Sequence, residues 1–131
     1  MAQQRIVARY RDGRVVKGTT TNFSPATPSF LLHPSEGGDP AKVDLELLKA
    51  VFFVRDFAGN PKRQDRDCFV AGQPYQGRAV QVEFQDGEVL LGYTPNYNPS
   101  MQGFFVFPAD PDSNTIKAFA VMRAVRDVKM L

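Results

Sequence analysis

The feature that most constrains this chain is an internal repeat. Shifted by 74 residues, the 131-residue sequence matches itself without a gap. Asp12-Gly13 falls on Asp86-Gly87, Val15 on Val89, Gly18 on Gly92, Thr20 on Thr94 and Asn22 on Asn96. Pro25 falls on Pro99, Phe30 on Phe104, Pro34 on Pro108, Ala50-Val51 on Ala124-Val125 and Val54 on Val128. Chance agreement among turn residues would not keep one unbroken shift across 6–55 and 80–129, so the pattern predicts duplication of a single unit.

Each unit reads as strands. Ile6, Ala8 and Tyr10 alternate with Val7, Arg9 and Arg11, the two-residue period of a half-buried strand. Asp12-Gly13 predicts a tight type I′ hairpin with positive φ at both residues. Val15 to Gly18 returns as a second strand, and Gly18 and Gly92 within such strands predict sharp bends. A Pro-broken loop follows in each copy, Asn22-Phe23-Ser24-Pro25 or Asn96-Tyr97-Asn98-Pro99. An apolar strand ends at Pro34 or Pro108, and Val43–Val54 or Ile116–Val128 supply two more short strands, with a helical turn as the rival over Val43–Lys49.

About five strands per copy predict an all-β chain of two tandem small barrels. The first occupies 1–56 and the second 77–131, with 57–76 as a linker in which Cys68-Phe69-Val70 adds an edge strand. A barrel of this size alone buries too little surface. Phe104–Phe107 and Ala50–Val54 are apolar on both faces, so both faces should be covered. The expectation is one pseudo-two-fold unit, with a homodimer interface as the alternative use of these runs.

Copy two carries Gly92, then four residues, Tyr97-Asn98, Pro99-Ser100 and Met101-Gln102, followed later by Met122-Arg123-Ala124. This spacing resembles the Sm-like, or Hfq-like, family of small SH3-like barrels. The resemblance implies such a barrel and an RNA-base site near these residues. Copy one departs from it, with Ser24, Thr27-Pro28 and Lys49-Ala50 at the corresponding places. Arg5 and Arg9, with Asn22-Phe23-Ser24, more weakly resemble the PilZ family, which implies cyclic di-GMP binding; Thr27 stands where that motif has Gly. The DG hairpin, in-strand Gly and NxxP pattern also resembles a family of short uncharacterised bacterial proteins.

Catalytic chemistry finds little to work with. His33 is the lone histidine, and opposite Phe107 in the repeat it reads as a packed strand residue rather than a zinc ligand or catalytic base. Asp110-Pro111-Asp112-Ser113-Asn114 imitates the start of a calcium loop but lacks its Gly and terminal Glu, so it reads as a turn. No metal, cofactor or enzyme activity is expected. A net charge of +2 makes no strong demand for nucleic acid or an anionic membrane. One cysteine and the absence of a signal-like or membrane-length apolar run point to the cytoplasm.

The charge that stands out lies in copy one. Arg5, Arg9 and Arg11, with Arg14 and Lys17 on the hairpin partner, form a basic strip that copy two replaces with Gln81, Glu83, Gln85 and Glu88. Candidate ligand-binding residues are therefore Arg5, Arg9, Arg11, Arg14, Lys17, Asn22, Phe23, Asn96, Tyr97, Asn98, Gln102 and Arg123. Phe23 and Tyr97 serve either as stacking platforms or as plugs in the barrel ends. The leading expectation is a non-catalytic binding or regulatory module with a protein partner. The alternatives are RNA or single-stranded nucleic-acid binding, and cyclic di-GMP binding.

Overall fold

In a computed structural model of the chain, residues 3–57, 77–95, 97–110 and 113–131 are described. They form ten strands: β1 (Gln4–Tyr10), β2 (Val15–Thr20), β3 (Ser29–Pro34), β4 (Ala41–Asp44), β5 (Leu48–Val54), β6 (Arg78–Phe84), β7 (Val89–Thr94), β8 (Gly103–Pro108), β9 (Thr115–Val121) and β10 (Val125–Met130). Single 3-10 turns at Leu45–Leu47 and Met122–Ala124 link β4 to β5 and β9 to β10. The helical rival to the Val43–Lys49 strand is thus realised only as one turn. Residues 58–76 of the expected linker, with its Cys68-Phe69-Val70 strand, lie outside the described residues, as do Pro111 and Asp112 of the Asp110 to Asn114 turn.

All ten strands join antiparallel in one sheet, in the order β10-β6-β7-β8-β9-β5-β1-β2-β3-β4. Each half therefore lays out its own strands in the same order: fifth, first, second, third, fourth. The halves meet where β5 pairs with β9, Ala50 opposite Ala120 and Phe52 opposite Ala118. This seam joins the fifth strand of one half to the fourth of the other, while β10 and β4 end the sheet. The expected two-fold relation would produce the β5–β9 seam and a matching β10–β4 seam together. The halves are instead arranged head to tail.

The seam strands explain the runs that are apolar on both faces. Side chains alternate across a strand, so Val51, Phe53, Phe119 and Val121 enter one core with Ile6, Phe30, Leu32 and Leu48. Ala50 and Ala120 enter the other with Val80, Val82, Phe84, Phe104 and Val106, and Phe52 packs against it. The two faces of β5 and β9 thus serve different cores.

The hairpins differ from the expected type. Tyr10 N–H donates to Arg14 O at 2.9 Å and Gly13 N–H to Tyr10 O at 3.1 Å; Phe84, Gly87 and Glu88 repeat the pattern. Only the glycines, Gly13 at φ +98° and Gly87 at +93°, have positive φ. This is a type I turn followed by a one-glycine bulge, which needs a single left-handed residue where type I′ needs two. Gly18 and Gly92 are required for close approach, since a Cβ there would run into the carbonyl oxygens of His33 and Phe107.

The repeat spacing also changes within the chain. Ile6 faces Gly18, and Val80 faces Gly92, a 74-residue shift. Yet Ile6 faces Phe53 whereas Val80 faces Met130, a shift of 77, and Phe30 faces Val43 whereas Phe104 faces Ala120. The second half carries three extra residues before its fourth strand. Lys49 therefore corresponds to Arg126 rather than Arg123, and the matches at Ala124, Val125 and Val128 are not structural counterparts. His33, read as packed, is exposed: it pairs with Thr19 near the end of β3, and its neighbour Leu32, on the opposite face, is the one that enters the core.

Candidate functional site: a basic cleft between the halves

The face of β1 opposite the first core carries Arg5, Val7 and Arg9, with Lys17 across the ladder from Val7. β5 continues this face with Ala50 and Phe52 opposite Arg9 and Val7. Because β5 turns into the seam, the face becomes one wall of a cleft of about 440 Å³. Val7, Phe52 and Val54 form an apolar floor, Arg9 and Lys17 overhang it, and Glu88, Val89, Leu90, Leu91 and Ala109 of the second half stand opposite. That volume is in the range of ligand clefts.

The cations are held but not neutralised. Arg9 lies over the Phe52 ring, 5.6 Å from its centroid. Lys17 Nζ donates to Phe57 O at 3.0 Å and Arg5 Nη1 to Arg55 O at 3.3 Å. None of the three forms an ion pair with a carboxylate among the described residues. On the opposite rim, Glu88 is already engaged, since Lys49 pairs with Glu88 and, at 2.8 Å, with Asp86. Lys49 is the bulged residue of β5, where the β1 register slips between Ala50 and Leu48. The bulge points its ammonium across the seam, 4.9 Å from the centroid of the Phe84 ring. The Lys49 hydrogen bond, followed by the Glu88 N–H, holds the Asp86 carboxyl below its ordinary range.

The remaining predicted site residues are not brought to this cleft. Arg11 is exposed beyond the end of β1. Arg14 donates to Asp12 at 2.9 Å and stacks on Tyr10, 4.2 Å from the ring centroid. The Arg14 backbone N–H, and then its guanidinium, lower the Asp12 pKa. Asn22 Oδ1 accepts from Leu31 N–H at 3.1 Å and latches its own loop. Asn98 Oδ1 accepts from Ser100 N–H at 3.0 Å and closes a turn. Phe23 is packed edge-on against Phe30, Phe53, Phe105 and Phe119 at 5.2–6.2 Å. Tyr97 packs on Phe104 at 4.9 Å. Both rings are half-buried in these contacts.

Gln102 Nε2 donates to Pro25 O at 2.6 Å and Thr27 O at 2.7 Å, tying the halves together on another side of the seam. Arg123 is exposed and lines a separate cleft of about 460 Å³ with Asp44, Glu46 and Met101. Asn96 lies outside the described residues. Of the residues that the Sm-like resemblance implicates, Gln102 and Arg123 line this second cleft, whereas Tyr97 packs against the second core and Asn98 closes a turn. Lys49, Asp86, Phe52 and Val89 were not among the predicted site residues. One signal pointed to Lys49: a cation inside the apolar run Leu48–Val54 needs a carboxylate when it is buried.

Among the described residues, no three His, Cys, Asp or Glu side chains stand together as a metal site requires, and no helix is long and apolar enough to cross a membrane. No curated protein and no solved structure matches the chain. One sequence family does match, over residues 2–131, and by that near-complete coverage the chain belongs to the family of unknown function DUF6982.

Proposed function

We propose that the chain is a non-catalytic binding module that engages a protein partner through the cleft between its halves, in a bacterial cytoplasm. The observation that carries this reading is Arg9 and Lys17 overhanging an apolar floor without carboxylate partners among the described residues. Cations placed over buried apolar surface favour a ligand that brings both carboxylate and hydrocarbon, which an acidic protein segment does. Two cations beside an engaged acidic rim make a poor track for a phosphate backbone, and the two aromatic rings nearest the sequence motifs are already packed. The shared strand order supports reading the halves as duplicated, curled five-stranded units of the Sm/SH3-like kind. In that reading the head-to-tail seam creates the cleft, so binding arises only after fusion of the two copies.

The test is site-specific photo-cross-linking in cells of the native bacterium, with a photoreactive residue at position 89 and, as control, at the exposed position 31. The expected outcome is a discrete protein adduct from position 89 alone, lost when Arg9→Glu and Lys17→Glu are added. Adducts dominated by RNA, or protein adducts indifferent to the charge reversals, overturn the proposal.

A further inference from the structure

The wall facing Arg9 and Lys17 includes an incomplete strand edge. β7 pairs along its whole length with β6, but β8 reaches only Gly92 and Tyr93. Beyond that point Ala109 N–H donates to Leu91 O at 3.0 Å, and among the described residues no strand flanks Val89. Phe84 N–H donates to Glu88 O at 2.8 Å, which sets the phase of the β6–β7 ladder. Hydrogen-bonded and non-hydrogen-bonded pairs alternate in an antiparallel ladder. Val89, opposite Glu83, therefore turns its N–H and C=O away from β6. Val89 is 50% exposed and lines the cleft. The equivalent residue in the first half, Val15, is 44% exposed but does not line it.

Resting on the reading of this cleft as the partner site, we infer that the partner enters as an extended, acidic segment that adds a short strand to β7 at Val89. Its backbone exchanges a pair of hydrogen bonds with Val89, as strand-addition ligands do. Side chains on its inward face lie over Val7, Phe52 and Val54. A glutamate there packs its methylenes on that floor and sets its carboxylate between Arg9 and Lys17. Glu88, held by Lys49, does not compete for these cations. The bulge at Lys49 thus keeps the acidic rim from closing over the basic wall.

The experiment is an NMR titration of the full chain with a capped pentapeptide alternating glutamate and valine, beside the same peptide N-methylated at alternate backbone nitrogens. The expected result is saturable amide shifts at Val89, Leu90 and Val7. N-methylation and Val89→Pro should each weaken binding at least tenfold, whereas Val15→Pro, which places the same strain at the matching position, leaves it unchanged. If N-methylation and Val89→Pro have no effect while Arg9→Glu abolishes binding, strand addition is wrong and acidic recognition by the cleft stands. If Arg9→Glu has no effect, both readings fail. No shift at millimolar peptide, or equal shifts with a lysine-valine peptide, also overturns the inference.

Discussion

At the scale of single residues, two positions carry more than their size suggests. Gly92 sits where β7 passes under the Phe107 carbonyl, and added bulk there meets backbone, which cannot swing aside. Gly92→Ala should lower stability by about 3 kcal/mol, the upper part of the overpacking range, read as a shift of the urea midpoint with an unchanged slope. Lys49 is the other. Its side chain is only 11% exposed, whereas its carboxylate partners stay more than half in water. Lys49→Met removes the buried charge and leaves two carboxylates that can rehydrate. Its neutral-pH stability should therefore change by less than about 1 kcal/mol. The pH dependence should change more clearly. In the native chain the Asp86 pKa is depressed below its unfolded value of 3.8. The stability this adds is fully present above that value and is lost as pH falls through the folded one. In Lys49→Met, NMR titration should show the Asp86 pKa rising towards its ordinary value and acid unfolding becoming less steep.

At the scale of elements, the Pro-broken loops act as internal stoppers. Phe23 reaches four aromatic rings, two of them, Phe105 and Phe119, from the second half. Phe23→Ala should cost about 3 kcal/mol, typical for truncating a well-packed ring, in thermal unfolding; a loss of binding with stability intact would mean that the ring faces a ligand instead. The strands themselves were legible. Two-residue alternation in β1 and β6, the DG turns and the proline stops mark most of their ends. The basic face of Arg5, Arg9 and Lys17 was legible too, because alternation alone puts these residues on one side. The cleft was not. It depends on which strand of one half meets which strand of the other, and a fifth-to-fourth pairing leaves no local mark in composition. The three-residue slip between repeats was concealed because Ala124, Val125 and Val128 still match by type at the shorter spacing.

At the scale of the whole molecule, the head-to-tail seam raises the question of why the sheet stops at ten strands, since β10 of one chain has the polarity to pair with β4 of another. The register of the seam, carried to those ends, puts Asp127 and Lys129 where Ala50 and Phe52 stand, and Lys42 and Asp44 where Phe119 and Val121 stand. Charge on an edge strand discourages pairing, and burial of these four charged side chains would oppose it further. Restoring the seam residues with Lys42→Phe, Asp44→Val, Asp127→Ala and Lys129→Phe should therefore turn the chain into rings or filaments in light scattering, while the native chain does not grow with concentration. The seam also has a consequence for biosynthesis. Ala50 waits for Ala120, and Phe53 shares its core with Phe119 and Val121. As the chain leaves the ribosome, its first half holds an unfinished interior until β9 has been made. Natural selection can then act on translation speed and chaperone access over that interval as surely as on any contact in the finished fold.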